Sequence, residues 1–167
     1  MSELDLHLMK LVESFTTVLP YEVVNNSSDL KRYQFQFEDV TFIMEFKYKH
    51  ENTGTTAIVA FYAINEYGQM NPDQTFKHKS GLQLFSTITK IITDSANSWD
   101  ILCFVNEPNR FGLYSLIVKR FAKQYEVFCQ RTEIGDVWFI SKEKLPEEVR
   151  PIIAKYASRI LRDKSGD

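Results

Sequence analysis

The residues whose types and spacing best suit a chemical task form a basic loop that ends in glycine. The sequence from this loop into the start of a helix is Lys77-His78-Lys79-Ser80-Gly81-Leu82-Gln83. The N-terminus of a helix presents unpaired backbone N–H groups and the positive end of the helix dipole, and both favour a phosphate. An ordinary helix start has the same pattern. Two interpretations are therefore possible: a phosphate-binding site, or a helix N-terminus that binds nothing.

The other reactive side chains do not form a metal or nucleophile pattern. The two cysteines, Cys103 and Cys129, each lie inside an apolar run, which predicts buried, reduced thiols in a cytosolic protein. There is no Cys-x-x-Cys pair and no zinc-ligand spacing, so no metal site is predicted. The spacing does not indicate a Ser-His-Asp or Cys-His nucleophile either.

Composition and charge limit the classes of function. A chain of 167 residues, 44% of them hydrophobic, is long enough for one domain with a packed core. The net charge of −2 argues against a general nucleic-acid-binding protein. No signal-peptide pattern and no bilayer-spanning apolar stretch is present, so we expect a cytoplasmic protein without a membrane segment. One basic cluster suits an acidic partner or, as we favour, is a solvated helix face. Its members are Arg110, Lys119, Arg120 and Lys123.

The elements of the first half follow from changes in hydrophobic period. Apolar residues at helical spacing predict an N-terminal helix within residues 1–20. Alternating apolar and polar residues across 32–49 predict two antiparallel strands with a tight turn, and Ile43 is an exception to that alternation. A short strand is expected at 21–24. Residues 55–65 are apolar on both faces, which indicates a central strand.

The second half alternates helices and strands. The expected elements are a helix at 82–96, a strand at 100–105, a helix at 110–124 and a hairpin of strands at 125–131 and 137–141. A single helix connects the central strand to the strand that follows it, so these two strands should be parallel. The expected fold class is therefore α/β, a mixed sheet with helices on both faces.

A last helix at 146–163 carries a wide apolar stripe. This stripe either closes the sheet or packs against a second copy of the chain as a homodimer. We expect a single domain over residues 1–167, with a core at 31–141 and an added helix at each end.

These elements resemble the GCN5-related N-acetyltransferase superfamily. The matching features are the central strand, the glycine-bearing loop that opens a helix, the short apolar strand, and Asn106-Glu107-Pro108-Asn109 followed by Leu113-Tyr114. More narrowly, Thr75, Gly81 and Phe85-Ser86-Thr87, with Arg110 and Leu113-Tyr114, are similar to small uncharacterised acetyltransferase-like proteins of bacteriophages. The resemblance covers residues 31–141. It implies an acyl-CoA N-acyltransferase fold, extended here by N- and C-terminal helices.

The resemblance implies acetyl-CoA as the cofactor, with its pyrophosphate on the loop and the helix start. The family motif is Gln or Arg, two residues, Gly, one residue, then Gly or Ala. His78, Gly81 and Gln83 take the three defined positions, and Gln83 departs from the small residue of the family. The residues implied to bind the cofactor are His78, Lys79, Ser80, Gly81, Leu82, Gln83 and Asn109.

Two catalytic side chains are also implied by the resemblance. Tyr114 matches the tyrosine that protonates the leaving CoA thiolate, although a core tyrosine with its hydroxyl at the surface has the same pattern. Glu66 is the carboxylate near the end of the central strand, and it is either the general base or a solvated acid of the loop. Asn109 either contacts the cofactor or caps the helix that starts at Arg110.

We therefore expect a phage-encoded, acyl-CoA-dependent N-acyltransferase with an amine acceptor, or a degenerate relative. A non-catalytic protein of the same fold that binds a host or virion protein is the alternative, because Gln83 departs from the motif. Nucleic-acid modification is a third hypothesis, which the acidic net charge disfavours.

Overall fold

The computed structural model describes residues 2–4, 18–37, 39–51, 54–64, 67, 70–71, 81–105, 117–132, 135–156 and 159. The strands are β1 Tyr21–Asn26, β2 Leu30–Phe37, β3 Val40–Glu51, β4 Gly54–Ile64, β5 Met70–Asn71, β6 Ile101–Val105, β7 Glu126–Thr132 and β8 Gly135–Ser141. The helices are α1 Gly81–Asp94, a 3-10 turn Ala96–Ser98, α2 at 117–121 and α3 at 150–156, and residues 3–4 are also helical. None of the helices in the described ranges has the length and apolar character needed to cross a bilayer.

All eight strands belong to one sheet, in the order β1-β2-β3-β4-β6-β8-β7, with β5 paired to β4 outside this path. β4 and β6 are parallel, and the other neighbouring strands are antiparallel. The predicted mixed α/β sheet and the predicted parallel pair, connected through α1, are confirmed. The hairpin of β7 and β8 attaches to β6 through its second strand.

The antiparallel strands form where side chains alternate in character. β2 and β3 pair in a register that places Phe35 opposite Phe42. These rings stack with each other and with Phe61 of β4, at centroid distances of 5.4 to 6.1 Å. Stacked aromatic pairs across strands stabilise one register, because a slip of one residue would move every ring to the opposite face.

The sheet buries apolar residues on both faces. One face packs under α1 and α2, and the inward residues of α1 are all buried, as its periodicity predicts: Leu84, Phe85, Ile88, Ile91 and Ile92. The other face forms a smaller cluster with Ala154 of α3, which contains Ile58, Cys103, Phe128, Val137 and Phe139. Each large apolar side chain buried in this way contributes about 1.5–3 kcal/mol, so both helical layers hold the sheet.

Some predictions differ from the structure. Cys103 is buried, but Cys129 is exposed because it lies on β7, at the end of the sheet. The last helix begins at residue 150 rather than at Pro146, which places Pro151 in the first turn, where its missing N–H costs least. Ile152, which by its spacing belongs to the apolar stripe of this helix, is 68% exposed.

Smaller differences concern element ends. β1 extends two residues beyond the expected strand at 21–24, and the segment between β4 and α1 contains the short strand β5, which was not expected. Most of the predicted N-terminal helix, and residues 110–116 of the predicted helix before β7, lie outside the described residues.

Candidate functional site

The parallel strands β4 and β6 separate after three paired positions. The pairs are Thr56 with Ile101, Ala57 with Leu102 and Ile58 with Cys103. Both strands continue beyond this point, and β6 keeps pairing with β8 as far as Val105. Within the described ranges, the ladder of β4 with β6 ends at Ile58, and β5 pairs only with Ala63 and Ile64. We call the opening between residues 59–62 of β4 and the end of β6 the strand gap.

Helix α1 begins at the same end of the sheet as the strand gap. A helix that connects two parallel strands runs antiparallel to both, so its N-terminus lies toward their carboxyl ends. α1 starts at Gly81, and its first turn contains no acidic residue that would offset the partial positive charge there. The positive end of the α1 dipole therefore faces this end of the sheet, which suits an anion.

The start of α1 is held by a buried threonine. The hydroxyl of Thr87 donates to the backbone carbonyl of Gln83 at 2.8 Å and accepts the N–H of Leu19 at 3.0 Å. These two bonds connect the first turns of α1 to the segment before β1. Gln83 itself is half-buried.

A polar cluster lies on the α3 face of the sheet, made of Arg32, Glu45 and Tyr62. The carboxylate of Glu45 is 1% exposed, and its Oε2 is 2.6 Å from Nε of Arg32. The hydroxyl of Tyr62 donates to the same oxygen at 3.3 Å. A buried carboxylate is tolerated when a paired cation and hydrogen bonds offset its desolvation.

The strand register places the polar cluster beside the strand gap. Glu45 is directly opposite Ala60 on β4, two residues beyond Ile58, where β4 and β6 last pair. With a rise of about 3.3 Å per residue and about 4.8 Å between strands, the Glu45 backbone lies about 8–9 Å from that last pair. Tyr62 is two residues further along β4 on the same face.

The electrostatics of the polar cluster keep Tyr62 protonated at neutral pH. Burial raises the pKa of Tyr62 above its ordinary value, and the charge and hydrogen bonding of Arg32 oppose this rise. The phenol is therefore a hydrogen-bond donor, and Glu45 is the acceptor. A buried carboxylate held by a cation and a phenol can accept a proton from a group brought close to it.

Several residues whose roles the resemblance implies lie outside the described residues, and these roles stay predictions. They are Tyr114, Glu66, His78, Lys79, Ser80 and Asn109. Of the others, Gly81, Leu82 and Gln83 form the first turn of α1. Lys119, Arg120 and Lys123 are exposed, in agreement with a solvated face. Within the described ranges, no group of three or more His, Cys, Asp or Glu residues could hold a metal ion.

Sequence reasoning missed Glu45, which was treated as a polar residue on the open face of a half-buried strand. The signal was Ile43, the exception to the alternation. Ile43 and Glu45 share one face, and both are buried, at 6% and 1% exposed. An apolar residue on the polar face of a strand indicates that this face is buried. A carboxylate on a buried face is unusual, and it is therefore a candidate functional residue.

A scan against protein-family models found no matching family, and searches of curated proteins and of solved structures found no match to this chain. The strand gap, the start of α1 and the polar cluster are therefore the basis for a functional proposal.

Proposed function

We propose that this protein transfers an acyl group from acyl-CoA to an amine, with the acyl-CoA arm in the strand gap. The observation that carries the proposal is the separation of β4 and β6 after Ile58 and Cys103. The β4–β6 ladder ends at this point, so the edge of β4 beyond Ile58 can accept an added strand. The pantetheine arm of CoA contains two amides, and an extended chain with amides can pair with such an edge as an added strand does.

The start of α1 supports the same placement. The strand gap opens toward the carboxyl ends of β4 and β6, where α1 begins at Gly81. The pyrophosphate of CoA carries the charge that a helix N-terminus favours. The central strand, the helix that opens at Gly81 and the parallel strand after it are features on which the resemblance to the GCN5-related N-acetyltransferases rests.

The polar cluster supplies the proton acceptor that amine acylation needs. Acyl-CoA provides an activated thioester. Glu45 accepts the proton that the amine nitrogen loses as the C–N bond forms, while Arg32 and Tyr62 hold the carboxylate in place. Tyr114, which the resemblance implies, gives its phenol proton to the sulfur as the C–S bond breaks. Glu45 thus takes the role for which the resemblance suggested Glu66.

Calorimetry with acetyl-CoA and CoA tests the binding half of this proposal. We expect saturable binding with Kd in the micromolar range, about −8 kcal/mol. Gly81→Glu should abolish binding, because it places a negative charge where the pyrophosphate lies. Asn97→Glu adds the same charge at an exposed position beyond the other end of α1 and should leave Kd unchanged. Equal binding by the wild type and Gly81→Glu would refute the placement.

Steady-state acyl transfer to a panel of primary amines tests the catalytic half. Glu45→Gln should lower kcat by about 10²- to 10⁴-fold, the usual contribution of a general base. The Kd for acetyl-CoA, measured directly, should not change. Glu51→Gln is the matched control, since Glu51 lies on the same face of β3 and is exposed. If Glu45→Gln and Glu51→Gln have the same kcat as the wild type, Glu45 is not the base.

A non-catalytic protein that binds a host or virion protein is the second candidate function. Gln83 favours it, since a long, half-buried side chain stands in the first turn of α1 where a phosphate would approach. Gln83→Ala separates the two candidates. An acyltransferase should bind CoA as tightly or more tightly after this change, whereas a chain that never binds CoA gives no heat in either form.

A further inference from the structure

A second concave site lies at the opposite end of the sheet from the strand gap. It is a cleft of about 680 Å³ between α3 and the amino-terminal ends of β4 and β6. This volume is in the range of pockets that hold small organic molecules. We call it the α3 cleft.

The wall of the α3 cleft is apolar and continuous with the core. Ile101, Leu145, Ile153 and Tyr156 line it, and all four pack on the buried cluster beneath α3. Because these side chains are anchored by core packing, the apolar wall is largely preformed. Ile152, the most exposed apolar residue of α3, lies at the edge of the same cleft.

One end wall of the α3 cleft is formed by the hydrogen-bonded starts of β4 and β6. Gly54 has φ of 139°, and a Cβ there would lie 2.7 Å from Oδ2 of Asp100. Oδ2 of Asp100 accepts the N–H of Thr55 at 2.8 Å, and the N–H of Asp100 donates to the carbonyl of Thr55 at 2.8 Å. This pair of bonds joins the starts of β4 and β6.

The charges on the α3 cleft leave an excess of unmatched positive charge. Nζ of Lys49 is 3.5 Å from Oε1 of Glu51 and 3.5 Å from the ring centroid of Tyr156. Asp100 is engaged by the backbone of Thr55. Lys155 and Arg159, one helical turn apart, also line the cleft, and no ion pair joins either to another part of the chain that the structure describes.

From this arrangement we infer that the α3 cleft binds a medium-chain carboxylate, with its apolar chain on the wall and its head group at Lys155 and Arg159. The apolar wall requires a ligand body without polar groups. Lys155 and Arg159, for which no ion pair is found within the described ranges, favour an anionic head, and arginine pairs well with a carboxylate. The head carries a single charge, because a second negative charge would lie near Glu51 and Asp100.

Calorimetry of the full chain with decanoate tests the inference. Decanoate should bind, decanol should bind about fivefold to tenfold more weakly because it lacks the charge, and propionate should bind at least about tenfold more weakly because it lacks the chain. Across hexanoate, octanoate and decanoate, each pair of added carbons should tighten Kd by about tenfold while the chain is still being buried. Affinity for decanol equal to that for decanoate, or no dependence on chain length, would overturn it.

Variants locate the site and separate it from the proposed acyl-CoA site. The double variant Lys155→Gln, Arg159→Gln should raise the Kd for decanoate about fivefold to tenfold, as two partly exposed ion pairs would. Lys123→Gln, an exposed lysine of the opposite helical layer, is the matched control and should not change it. Gly81→Glu should also bind decanoate normally. Unchanged binding by the double variant, or loss of binding in Gly81→Glu, would contradict the assignment to the α3 cleft.

Discussion

At the residue scale, Glu45 contributes both to the stability of the fold and to the proposed chemistry. Its carboxylate is 1% exposed, and the guanidinium of Arg32 lies 2.6 Å from it. Removing one partner of such a pair is costly, because the other charge is left buried without compensation. The Tyr62 hydroxyl supplies a further hydrogen bond to the same oxygen. We therefore expect the effects of changing Arg32, Glu45 and Tyr62 to depend on one another.

Arg32→Gln tests this coupling. We expect a loss of about 1–3 kcal/mol in the free energy of unfolding, less than for a fully buried pair because the Arg32 side chain is 39% exposed. The double variant Arg32→Gln, Glu45→Gln should be more stable than the sum of the two single changes predicts. Urea unfolding of the four proteins measures this. Additivity within about 0.3 kcal/mol would mean that the pair contributes no coupling.

The raised pKa values of two tyrosines predict how the free energy of unfolding changes at alkaline pH. Burial raises the pKa of Tyr48 to about 12, and burial with a hydrogen bond to Asp94 raises the pKa of Tyr21 to about 12. In the unfolded chain tyrosine titrates near pH 10. Between pH 10 and 12 the unfolded state has lost protons that the folded state keeps. The stabilisation is therefore complete below pH 10 and falls as pH rises toward 12.

Urea midpoints measured from pH 9 to pH 12 check this expectation. The wild type should lose stability steadily above pH 10, and Tyr48→Phe and Tyr21→Phe should each lose less over the same interval. An identical pH dependence in all three proteins would show that these phenols titrate alike in the folded and unfolded states.

At the element scale, the start of β4 depends on one glycine. Gly54 adopts a left-handed φ of 139°, and Asp100 fills the space where a Cβ would lie. Gly135 also has a left-handed φ, of 122°, but a Cβ there would meet no atom within 4 Å. A comparison of substitutions at the two glycines therefore distinguishes the cost of backbone strain from the cost of a steric clash.

Gly54→Ala should lower the free energy of unfolding by about 2–4 kcal/mol, since it adds a clash to the backbone strain. Gly135→Ala should cost only the backbone strain, about 1–2 kcal/mol. Thermal and urea unfolding of both variants give the comparison. If Gly135→Ala proves equally or more destabilising, the contact with Asp100 does not restrict position 54.

Most elements could be predicted from sequence because their patterns are local. The alternation of apolar and polar residues predicted β2 and β3, and the run that is apolar on both faces predicted β4. The connection through α1 required β4 and β6 to be parallel. The position of β8 between β6 and β7 could not be predicted, because a hairpin can attach to a sheet through either strand. The exposure of Cys129 follows from that order.

The candidate site was only partly predictable for the same reason. The helix start at Gly81 is a local pattern and was found. The strand gap is a property of register between strands far apart in sequence, and local periodicity does not specify where two parallel strands stop pairing. Glu45 became a candidate only once its cross-strand neighbours Arg32 and Ala60 were known.

At the scale of the whole molecule, the strand gap and the α3 cleft lie at opposite ends of β4. The strand gap opens beside residues 59–62, and the α3 cleft begins at Gly54. Eight residues of strand separate Gly54 from Tyr62, about 26 Å. Charges this far apart are screened at physiological ionic strength, where the Debye length is about 8 Å. Binding at one site should therefore not depend on charge at the other.

The double variant Lys155→Gln, Arg159→Gln should accordingly bind acetyl-CoA with the wild-type Kd, within about twofold. Calorimetry of the variant and the wild type at 0.15 M salt makes the comparison. A tenfold loss of acetyl-CoA affinity would instead place the CoA phosphates at the α3 cleft.

Amide hydrogen exchange of β4, with and without saturating acetyl-CoA, tests the proposed function most directly. The β4–β6 ladder ends at Ile58, so an acyl-CoA arm that pairs with β4 in the strand gap should slow exchange in residues 59–62. Residues 54–58, already paired with β6 or near its start, should change little, and Gly81→Glu should show no slowing at all. If acetyl-CoA saturates the protein and residues 59–62 exchange as before, the arm does not lie in the strand gap and the proposed site is wrong.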